Sequence, residues 1–163
     1  MEEYRFDRAM PEHAEEIFSL YYSLIHMPHS TWSENYPTRE IVDNDLIQNE
    51  VRILKNDSGR IMAAIVLAED EEIADIASWY ADVKRWIEFS RLGVSQECQN
   101  KGIARRMLEH AMDISREKGY EAVRFLVAKS NPIAQRSYNK LGFDICGEHE
   151  IWGVEWLCYQ KRL

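Results

Sequence analysis

The sequence has no excess of positive charge and no long apolar segment. Its 163 residues include 20 Lys and Arg against 28 Asp and Glu, a formal net charge of −8. This balance argues against nucleic acids and anionic membranes as partners. No apolar run approaches the roughly 20 residues of a membrane-spanning helix. Because the N-terminal segment is charged and has no signal-peptide core, we expect a cytoplasmic protein.

Cysteine is scarce and lacks the spacing of a disulfide framework or a metal site. The three cysteines, Cys98, Cys146 and Cys158, are odd in number and form no Cys-x-x-Cys pair, so we predict free thiols. His26 and His29 lie three residues apart, but without a partner acid or thiol they are more simply explained as solvated loop histidines. We therefore expect no metal.

The sequence also lacks the glycine patterns of two common phosphate-binding loops. Its seven glycines include no set of three with dinucleotide-binding spacing. None of them precedes a Lys-Ser or Lys-Thr pair, as the Walker loop requires. A phosphate site in this chain would have to be built differently.

A strand, a polar turn and a long amphipathic helix are predicted over residues 86–119. In the turn, Gly102 has no Cβ, so the backbone there can approach a ligand closely. The first N–H groups of the helix have no intrahelical partner, and the positive end of the helix dipole lies at the same place. Donors and cations surround this turn: Gln99, Asn100, Lys101, Arg105 and Arg106. These features favour a diphosphate, and we interpret the turn as a pyrophosphate cradle.

Length and pattern predict one domain over residues 1–163, with about two-thirds of the unfolded chain's surface buried on folding. Helices are predicted at residues 11–25, 38–49, 101–118 and 131–141. Strands are predicted at residues 4–8, 51–54, 60–68, 85–94 and 122–127, and two more lie within 144–162 around a turn at 147–150. The order β-α-α-β-β-β-α-β-α-β-β indicates an α+β domain with a mixed sheet.

Two segments carry more specific expectations about burial and regularity. In the second helix the apolar stripe Ile41, Val42, Leu46 and Ile47 is predicted to face the core. Residues 69–84 show no clear period, and we interpret them as a long loop or a short helix.

The pattern Gln99-x-x-Gly102-x-Ala104 resembles the coenzyme A loop of the GNAT superfamily of N-acetyltransferases. A second match lies 32 residues beyond Gln99, where residues 131–143 fit the form Asn-x-x-Ala-x-x-x-Tyr-x-x-x-Gly-Phe of that superfamily. The two motifs stand in the right order on the right elements, and the specific resemblance covers residues 92–147. Departures are small: alanine replaces the commoner glycine at Ala104, and Gln99 stands where arginine is also frequent.

The resemblance implies a sheet of about seven strands, mixed but mostly antiparallel, with about four helices and splayed central strands. Acetyl-CoA is the implied cosubstrate. By position, the backbone of Leu92 and Val94 would bind the pantetheine amides, the amides of residues 99–104 the pyrophosphate, and the Asn131 side chain the pantetheine arm. The implied cofactor-binding residues are Leu92, Gly93, Val94, Gln99, Asn100, Lys101, Gly102, Ile103, Ala104, Arg105, Asn131, Ala134 and Tyr138.

The same resemblance assigns catalytic roles. Tyr138 matches the tyrosine that protonates the leaving coenzyme A thiolate, and the N–H of Val94 would stabilise the oxyanion. By helical spacing alone, Tyr138 in line with Ala134 and Leu141 would be an ordinary core tyrosine with its hydroxyl at the surface.

Glu88 is the candidate general base. Strand alternation places it on the face opposite Ile87 and Phe89. In several family members a carboxylate on this strand acts as the general base. The family also contains enzymes that rely on water alone. A structural alternative is a salt bridge to one of three nearby cations, Lys84, Arg85 or Arg91.

The expected acceptor is a primary amine, on a small molecule or a peptide N-terminus. Four aromatic residues in connecting segments are candidates for the wall of its pocket, namely Trp32, Tyr36, Trp79 and Tyr80. For Trp32 and Tyr36 the alternative is a lid over the core. A coenzyme A-binding sensor without catalysis is the alternative function, and because dimers are common in the family we allow for a homodimer.

Overall fold

The structure, a computed structural model, describes residues 3–163; Met1 and Glu2, which begin the predicted domain, lie outside this range. The strands are β1 (Arg5–Arg8), β2 (Glu50–Lys55), β3 (Ile61–Ala68), β4 (Trp86–Val94), β5 (Ala122–Ala128), β6 (Asp144–Ile151) and β7 (Val154–Arg162). The helices are α1 (Ala14–Tyr22), α2 (Arg39–Gln48), α3 (Ile103–Glu117) and α4 (Pro132–Lys140). This is the predicted order. No helix within residues 3–163 is long and apolar enough to cross a membrane.

The strands form one seven-stranded sheet in the order β1-β2-β3-β4-β5-β7-β6. The pairs β1–β2, β2–β3, β5–β7 and β6–β7 are antiparallel. Strand β4 pairs in parallel with β5, and in the described chain this pairing joins Trp86–Glu88 to Ala122–Arg124. The predicted α+β class with a mixed, mostly antiparallel sheet and four helices is confirmed. The short parallel pairing agrees with the predicted splay of the central strands.

The described chain forms two compact units, and the first contains the residues up to Ala68 together with Ser90–Ala111. All eight residues of β3 are buried. Its sequence, IMAAIVLA, has no polar alternation, which is typical of a strand covered on both faces. Residues of α1 and α2, among them Ile17, Tyr21 and Val42, belong to the core of this unit.

The second unit contains Glu69–Phe89 and Met112–Leu163. Aromatic rings from β5, α4 and β7 form much of its interior. The ring of Phe125 meets that of Tyr138 edge to face at 5.0 Å between centroids and stacks on Tyr159 at 5.7 Å. Such pairs add to the stability that burial alone provides.

The prediction that the first helix covers residues 11–25 is wrong at both ends. Pro11–His13 forms a single 3-10 turn, and α1 ends at Tyr22. Just beyond this end, the Ser23 hydroxyl donates to the carbonyl of Leu20 at 2.6 Å. Serine hydroxyls that bond nearby carbonyls in this way compete with regular helical pairing.

The prediction of a turn at residues 147–150 is also wrong. The hairpin between β6 and β7 turns at Trp152 and Gly153, whose φ angles are 56° and 73°. Two successive residues of positive φ are what a tight two-residue hairpin of type I′ requires. Gly147, which suggested the turn, instead lies beside a shift in the pairing register, opposite Cys158.

Two further expectations have different outcomes. On α2, the predicted buried Ile47 is 73% exposed, while Asp45, two residues earlier, is only 3% exposed. Helical spacing alone did not indicate that a carboxylate would take the buried position. Residues 69–84 contain neither helix nor strand, which agrees with the loop interpretation.

Gly93 brings β4 close to α1. An added Cβ at this position would lie 3.1 Å from a side-chain carbon of Tyr21 and 3.1 Å from one of Leu24. Both neighbours are buried, so neither can move aside freely. Only glycine fits here without displacement.

We expect Gly93→Ala to lower the free energy of unfolding by about 1–3 kcal/mol, because overpacking a filled core forces neighbours out of place. Urea unfolding of both proteins measures this loss. In the Leu24→Ala background the same change should be less harmful, because one of the crowding groups is gone. Strict additivity of the two losses would contradict the packing explanation.

Candidate functional site

The turn between β4 and α3 is closed by its own side chains. Ser95 Oγ accepts a hydrogen bond from the N–H of Glu97 at 3.3 Å, and Gln99 Nε2 donates to the carbonyl of Val94 at 3.0 Å. Cys98 lies within the turn and is buried. The backbone N–H of Gln99 also donates within the turn, to the carbonyl of Gln96 at 3.3 Å, so both the side chain and the N–H of Gln99 already have protein partners.

Two residues of this turn have left-handed backbone conformations, Asn100 with φ 62° and Gly102 with φ 72°. The N–H of Arg106 donates to the carbonyl of Gly102 at 3.1 Å, the first turn of α3. The N–H groups just before it therefore have no acceptor in a preceding helical turn. Nothing lies within 4 Å of a Cβ built on Gly102. An exposed backbone at a helix N-terminus is suited to a phosphate group.

The three cations near this turn have different surroundings. Arg105 pairs with Glu109 one helical turn along α3 at 2.9 Å. The guanidinium of Arg106 lies 5.7 Å from the ring centroid of Phe6 on β1. Lys101 is exposed. The cations predicted at the turn are present, and two of them, Arg105 and Arg106, already contact protein groups.

Before the turn, β4 contains a buried ionic contact that the sequence did not reveal. Arg91 has a positive φ of 46° within the strand. Its guanidinium donates from Nε and Nη2 to the two carboxylate oxygens of Asp45 on α2, both at 2.6 Å, and from Nη1 to the hydroxyl of Tyr36 at 3.2 Å. The buried Tyr21 hydroxyl donates to the carbonyl of Arg91 at 3.0 Å.

This arrangement fixes the protonation of its members. Burial alone would lower the pKa of Arg91, but the hydrogen bonds and the charge of Asp45 outweigh burial and raise that pKa. Burial, and then the Asp45 charge, raises the pKa of the Tyr21 hydroxyl. Arg91 therefore stays charged and Tyr21 stays neutral around pH 7.

The predicted motif on α4 begins with a capped helix. Asn131 Oδ1 accepts from the N–H of Ala134 at 3.1 Å. Gln135 Nε2 donates to the carbonyls of Ala128 and Lys129, at 3.2 and 2.8 Å. With Oδ1 engaged as the cap, the amide NH₂ of Asn131 is the part of its side chain that fits the predicted pantetheine contact. Gln135, which the motif did not specify, ties α4 to the end of β5.

Tyr138, the predicted acid, is half-buried in the aromatic cluster of the second unit. Its ring lies 5.0 Å from that of Phe125 and 6.2 Å from that of Tyr159. Burial, and to a lesser degree Tyr159, raises the pKa of Tyr138 to about 12. The phenol therefore keeps its proton at neutral pH, as a general acid must. The core role and the acid role are compatible, because packing can hold the ring that delivers the proton.

Glu88, the predicted base, lies in register with Arg124 of β5. Arg124 is buried, donates to Gln160 Oε1 at 2.8 Å, and has its guanidinium 5.1 Å from the Trp79 ring and 4.6 Å from the Trp86 ring. Burial lowers the pKa of Arg124. A cation therefore occupies the position beside Glu88 on the neighbouring strand.

Two of the cations considered as structural partners for Glu88 have other contacts. Arg91 pairs with Asp45, and Arg85 donates from Nη1 to the carbonyl of Lys118 at 2.6 Å. The role of Glu88 as a base stays a prediction.

In the first unit, the predicted pocket residues Trp32 and Tyr36 contact the same network as Arg91. The Trp32 ring meets the buried Tyr21 ring edge-on at 5.0 Å, which fits the lid alternative. Tyr36 is 40% exposed while its hydroxyl accepts from Arg91. Tyr36 thus has both an anchored hydroxyl and a ring that a ligand can reach.

In the second unit, Trp79 and Tyr80 anchor the long loop. Trp79 Nε1 donates to the carbonyl of Ile73 at 2.7 Å. The Tyr80 hydroxyl donates to Asp144, and the guanidinium of Arg162 lies 4.2 Å from its ring centroid. These contacts order residues 69–84, and a substrate role for the two rings stays a prediction.

No cluster of three or more His, Cys, Asp or Glu side chains within residues 3–163 could hold a metal ion. The contacts that sequence reasoning missed are Asp45 with Arg91, Arg124 with its two tryptophans, and Gln135.

Comparison of the chain with models of known protein families identifies the family whose motifs the sequence resembles. The model of the acetyltransferase (GNAT) family matches residues 15–143. No protein with a curated description matches the chain significantly.

Solved structures with this fold include several acetyltransferases. A GNAT-family acetyltransferase from Streptococcus pneumoniae has a TM-score of 0.75 and 17% identity, with 99% of each chain covered. The ribosomal-protein-S18-alanine N-acetyltransferase of Escherichia coli has a TM-score of 0.74 and 16% identity, with 98% of this chain and 94% of that chain covered. The yncA protein of Salmonella typhimurium, solved with its cofactor acetyl-CoA, has a TM-score of 0.73 and 16% identity, with 99% and 94% covered. At these identities the similarity shows the fold.

The raised pKa of Tyr138 predicts a loss of stability at high pH. The unfolded chain releases the Tyr138 proton near pH 10 and the folded chain near pH 12. The contribution of this proton to the free energy of unfolding is therefore complete below pH 10 and is lost as the pH rises towards 12. One such proton changes the free energy of unfolding by up to about 1.4 kcal/mol per pH unit.

Burial raises the pKa of Tyr80 and Cys158 as well, so the wild type alone does not isolate Tyr138. The informative quantity is the difference between the wild type and Tyr138→Phe in how steeply the free energy of unfolding falls with pH. Urea unfolding at pH 8, 10 and 11 should show a shallower decline for Tyr138→Phe than for the wild type. Identical slopes would mean that the Tyr138 hydroxyl is not held in a desolvated environment.

Proposed function

Because the chain belongs to the acetyltransferase (GNAT) family, and is thus an acyltransferase, we propose that it transfers the acetyl group of acetyl-CoA to a primary amine. The amine attacks the acetyl carbonyl directly in a ternary complex. Acetyl-CoA supplies the activated thioester. The observation that carries the proposal is the family match over residues 15–143, which contains both the turn before α3 and the Tyr138 helix.

The residues of the turn fit the diphosphate of coenzyme A. Left-handed Asn100 and Gly102, an open space beside Gly102, and the start of α3 give a backbone surface of N–H donors. We assign the pyrophosphate to the amides of residues 100–104, with Lys101 and Arg105 near it; the predicted amide of Gln99 already donates to the carbonyl of Gln96. The pantetheine arm is assigned to the backbone of Leu92–Val94 and to the Asn131 amide.

The chemical roles follow from the donors available. The N–H of Val94 donates to the acetyl oxygen as negative charge develops there, while the Val94 carbonyl is engaged by Gln99. Tyr138 gives its phenolic proton to the departing sulfur, and its raised pKa keeps that proton in place until then. Glu88, directly or through water, takes the proton of the attacking amine.

The acceptor is proposed only as a class, a primary amine on a small molecule or a peptide N-terminus. The net charge of −8 suits a cationic amine. We further propose that residues 1–163 act as one domain and that the enzyme works in the cytoplasm, where the free Cys98, Cys146 and Cys158 would stay reduced.

Binding of acetyl-CoA at Gly102 can be tested with an isosteric pair, Gly102→Asp and Gly102→Asn. Both residues tolerate a positive φ better than other side chains, and there is room for either. They differ in charge at the place assigned to the diphosphate.

We expect acetyl-CoA to raise the melting temperature of the wild type, to raise it less in Gly102→Asn, and to leave it unchanged in Gly102→Asp. Thermal unfolding with and without acetyl-CoA gives all three values. Equal shifts in the two variants would show that no anionic group binds beside Gly102.

Catalysis can be tested by following thiol release from acetyl-CoA across a panel of amines. For an amine that supports turnover, Tyr138→Phe should lower kcat by about 100-fold or more, with little change in the KM for acetyl-CoA, because it removes a proton donor and keeps the ring. Acetyl-CoA binding without turnover on any amine would favour the sensor alternative. An unchanged kcat in Tyr138→Phe would remove Tyr138 from the mechanism.

A further inference from the structure

Arg91 has an unusual conformation for its place in a strand. It lies one residue before the segment Leu92–Val94, and its φ of 46° belongs to the left-handed region. A side chain makes that region unfavourable, and a residue that adopts it within a strand bends the strand locally. The direction of the backbone from Arg91 onward therefore depends on whatever holds Arg91.

Two residues of the first unit, Asp45 and Tyr21, hold this part of β4. Asp45 binds the guanidinium with two hydrogen bonds of 2.6 Å, in the paired geometry that fixes orientation as well as distance. Tyr21, which is 1% exposed, donates to the Arg91 carbonyl. Its ring also packs against Gly93. Strand β4 is thus held at the Arg91 side chain, at the Arg91 carbonyl and, two residues later, at Gly93.

We propose that the Asp45–Arg91 pair is a positioning device for acetyl-CoA. By holding the left-handed turn of β4, it sets where the backbone N–H and C=O groups of Leu92–Val94 point. Asp45 and Arg91 are positioning residues and need not touch the cofactor. The inference rests on the proposed function, because it takes the Leu92–Val94 backbone as the site of the pantetheine arm.

Stability alone is a weak explanation for this pair. Burying two charges costs desolvation energy that their attraction often only offsets, and apolar replacements of buried ion pairs are frequently as stable. The pair explains orientation better than stability. Its hydrogen bonds are directional and fix the Arg91 side chain and backbone in one direction, whereas apolar contacts between two side chains would not. The same guanidinium also holds the hydroxyl of Tyr36, so the connection before α2 is tied to β4 by the same group.

The test compares Asp45→Asn with Val42→Ala on the same helix. Asp45→Asn keeps the size of the side chain and removes the charge and the double acceptor. Val42 is 1% exposed and makes no part of the pair, so Val42→Ala serves as a control for lost stability. Affinity for acetyl-CoA is measured by titration calorimetry at a temperature where every protein is folded, and melting temperatures are measured in parallel.

We expect Asp45→Asn to weaken acetyl-CoA binding by about tenfold or more, since small displacements of positioning groups have effects of that size. Val42→Ala should bind acetyl-CoA within about twofold of the wild type despite a lower melting temperature. Wild-type affinity in Asp45→Asn, or an equal loss in Val42→Ala, would overturn the proposal. No binding by the wild type would overturn the proposed function itself, and this inference with it.

A second pair of variants covers the case in which Asp45→Asn does not fold. Arg91→Gly and Arg91→Ala both remove the guanidinium, but only glycine adopts a φ of 46° without strain. Because backbone direction is what the pair provides, Arg91→Gly should retain more affinity for acetyl-CoA than Arg91→Ala. Better binding by Arg91→Ala than by Arg91→Gly would contradict a role in backbone direction.

Discussion

Two hydrogen bonds between the Asp45 carboxylate and the Arg91 guanidinium bring several elements of the first unit together at one residue of β4. They attach α2 to β4, and through the third guanidinium nitrogen they attach the segment around Tyr36 as well. The bond from Tyr21 adds α1 to the same strand position. Since buried charges must be paired, moving α2 away from β4 would leave the buried Asp45 carboxylate without its cation.

The turn before α3 depends on more local causes. Its left-handed residues are an asparagine and a glycine, the two residue types that adopt this conformation most readily. Two of its side-chain bonds join residues at most five positions apart. Others reach further: Gln96 Nε2 donates to the carbonyl of Ser23 at 2.9 Å, and Arg60 donates to the Glu97 carboxylate at 3.0 Å. The conformation of the two left-handed residues is therefore a matter of local chemistry, which a short pattern such as Gln99-x-x-Gly102-x-Ala104 can report.

This contrast explains how far sequence reasoning reached. Element order and sheet class follow from periodicity and local chemistry, and they were predicted. Asp45 and Arg91 are 46 residues apart, and no local pattern links them. The same holds for Arg124, whose two tryptophan neighbours come from the 69–84 loop and from β4. The hairpin turn was misplaced because Gly147 resembles a turn glycine but serves the register shift in β6.

That register shift has a consequence for the solubility of the folding chain. Strand β6 is at one edge of the described sheet, where unpaired backbone groups invite the strands of other molecules. An irregular strand is a poor template, and the acidic Asp144, Glu148 and Glu150 add charge repulsion between copies. At the opposite edge, β1 is only four residues long and carries three charged side chains. Both margins of the sheet are thus built to discourage aggregation, at the cost of the regular pairing that a longer, smoother edge would have.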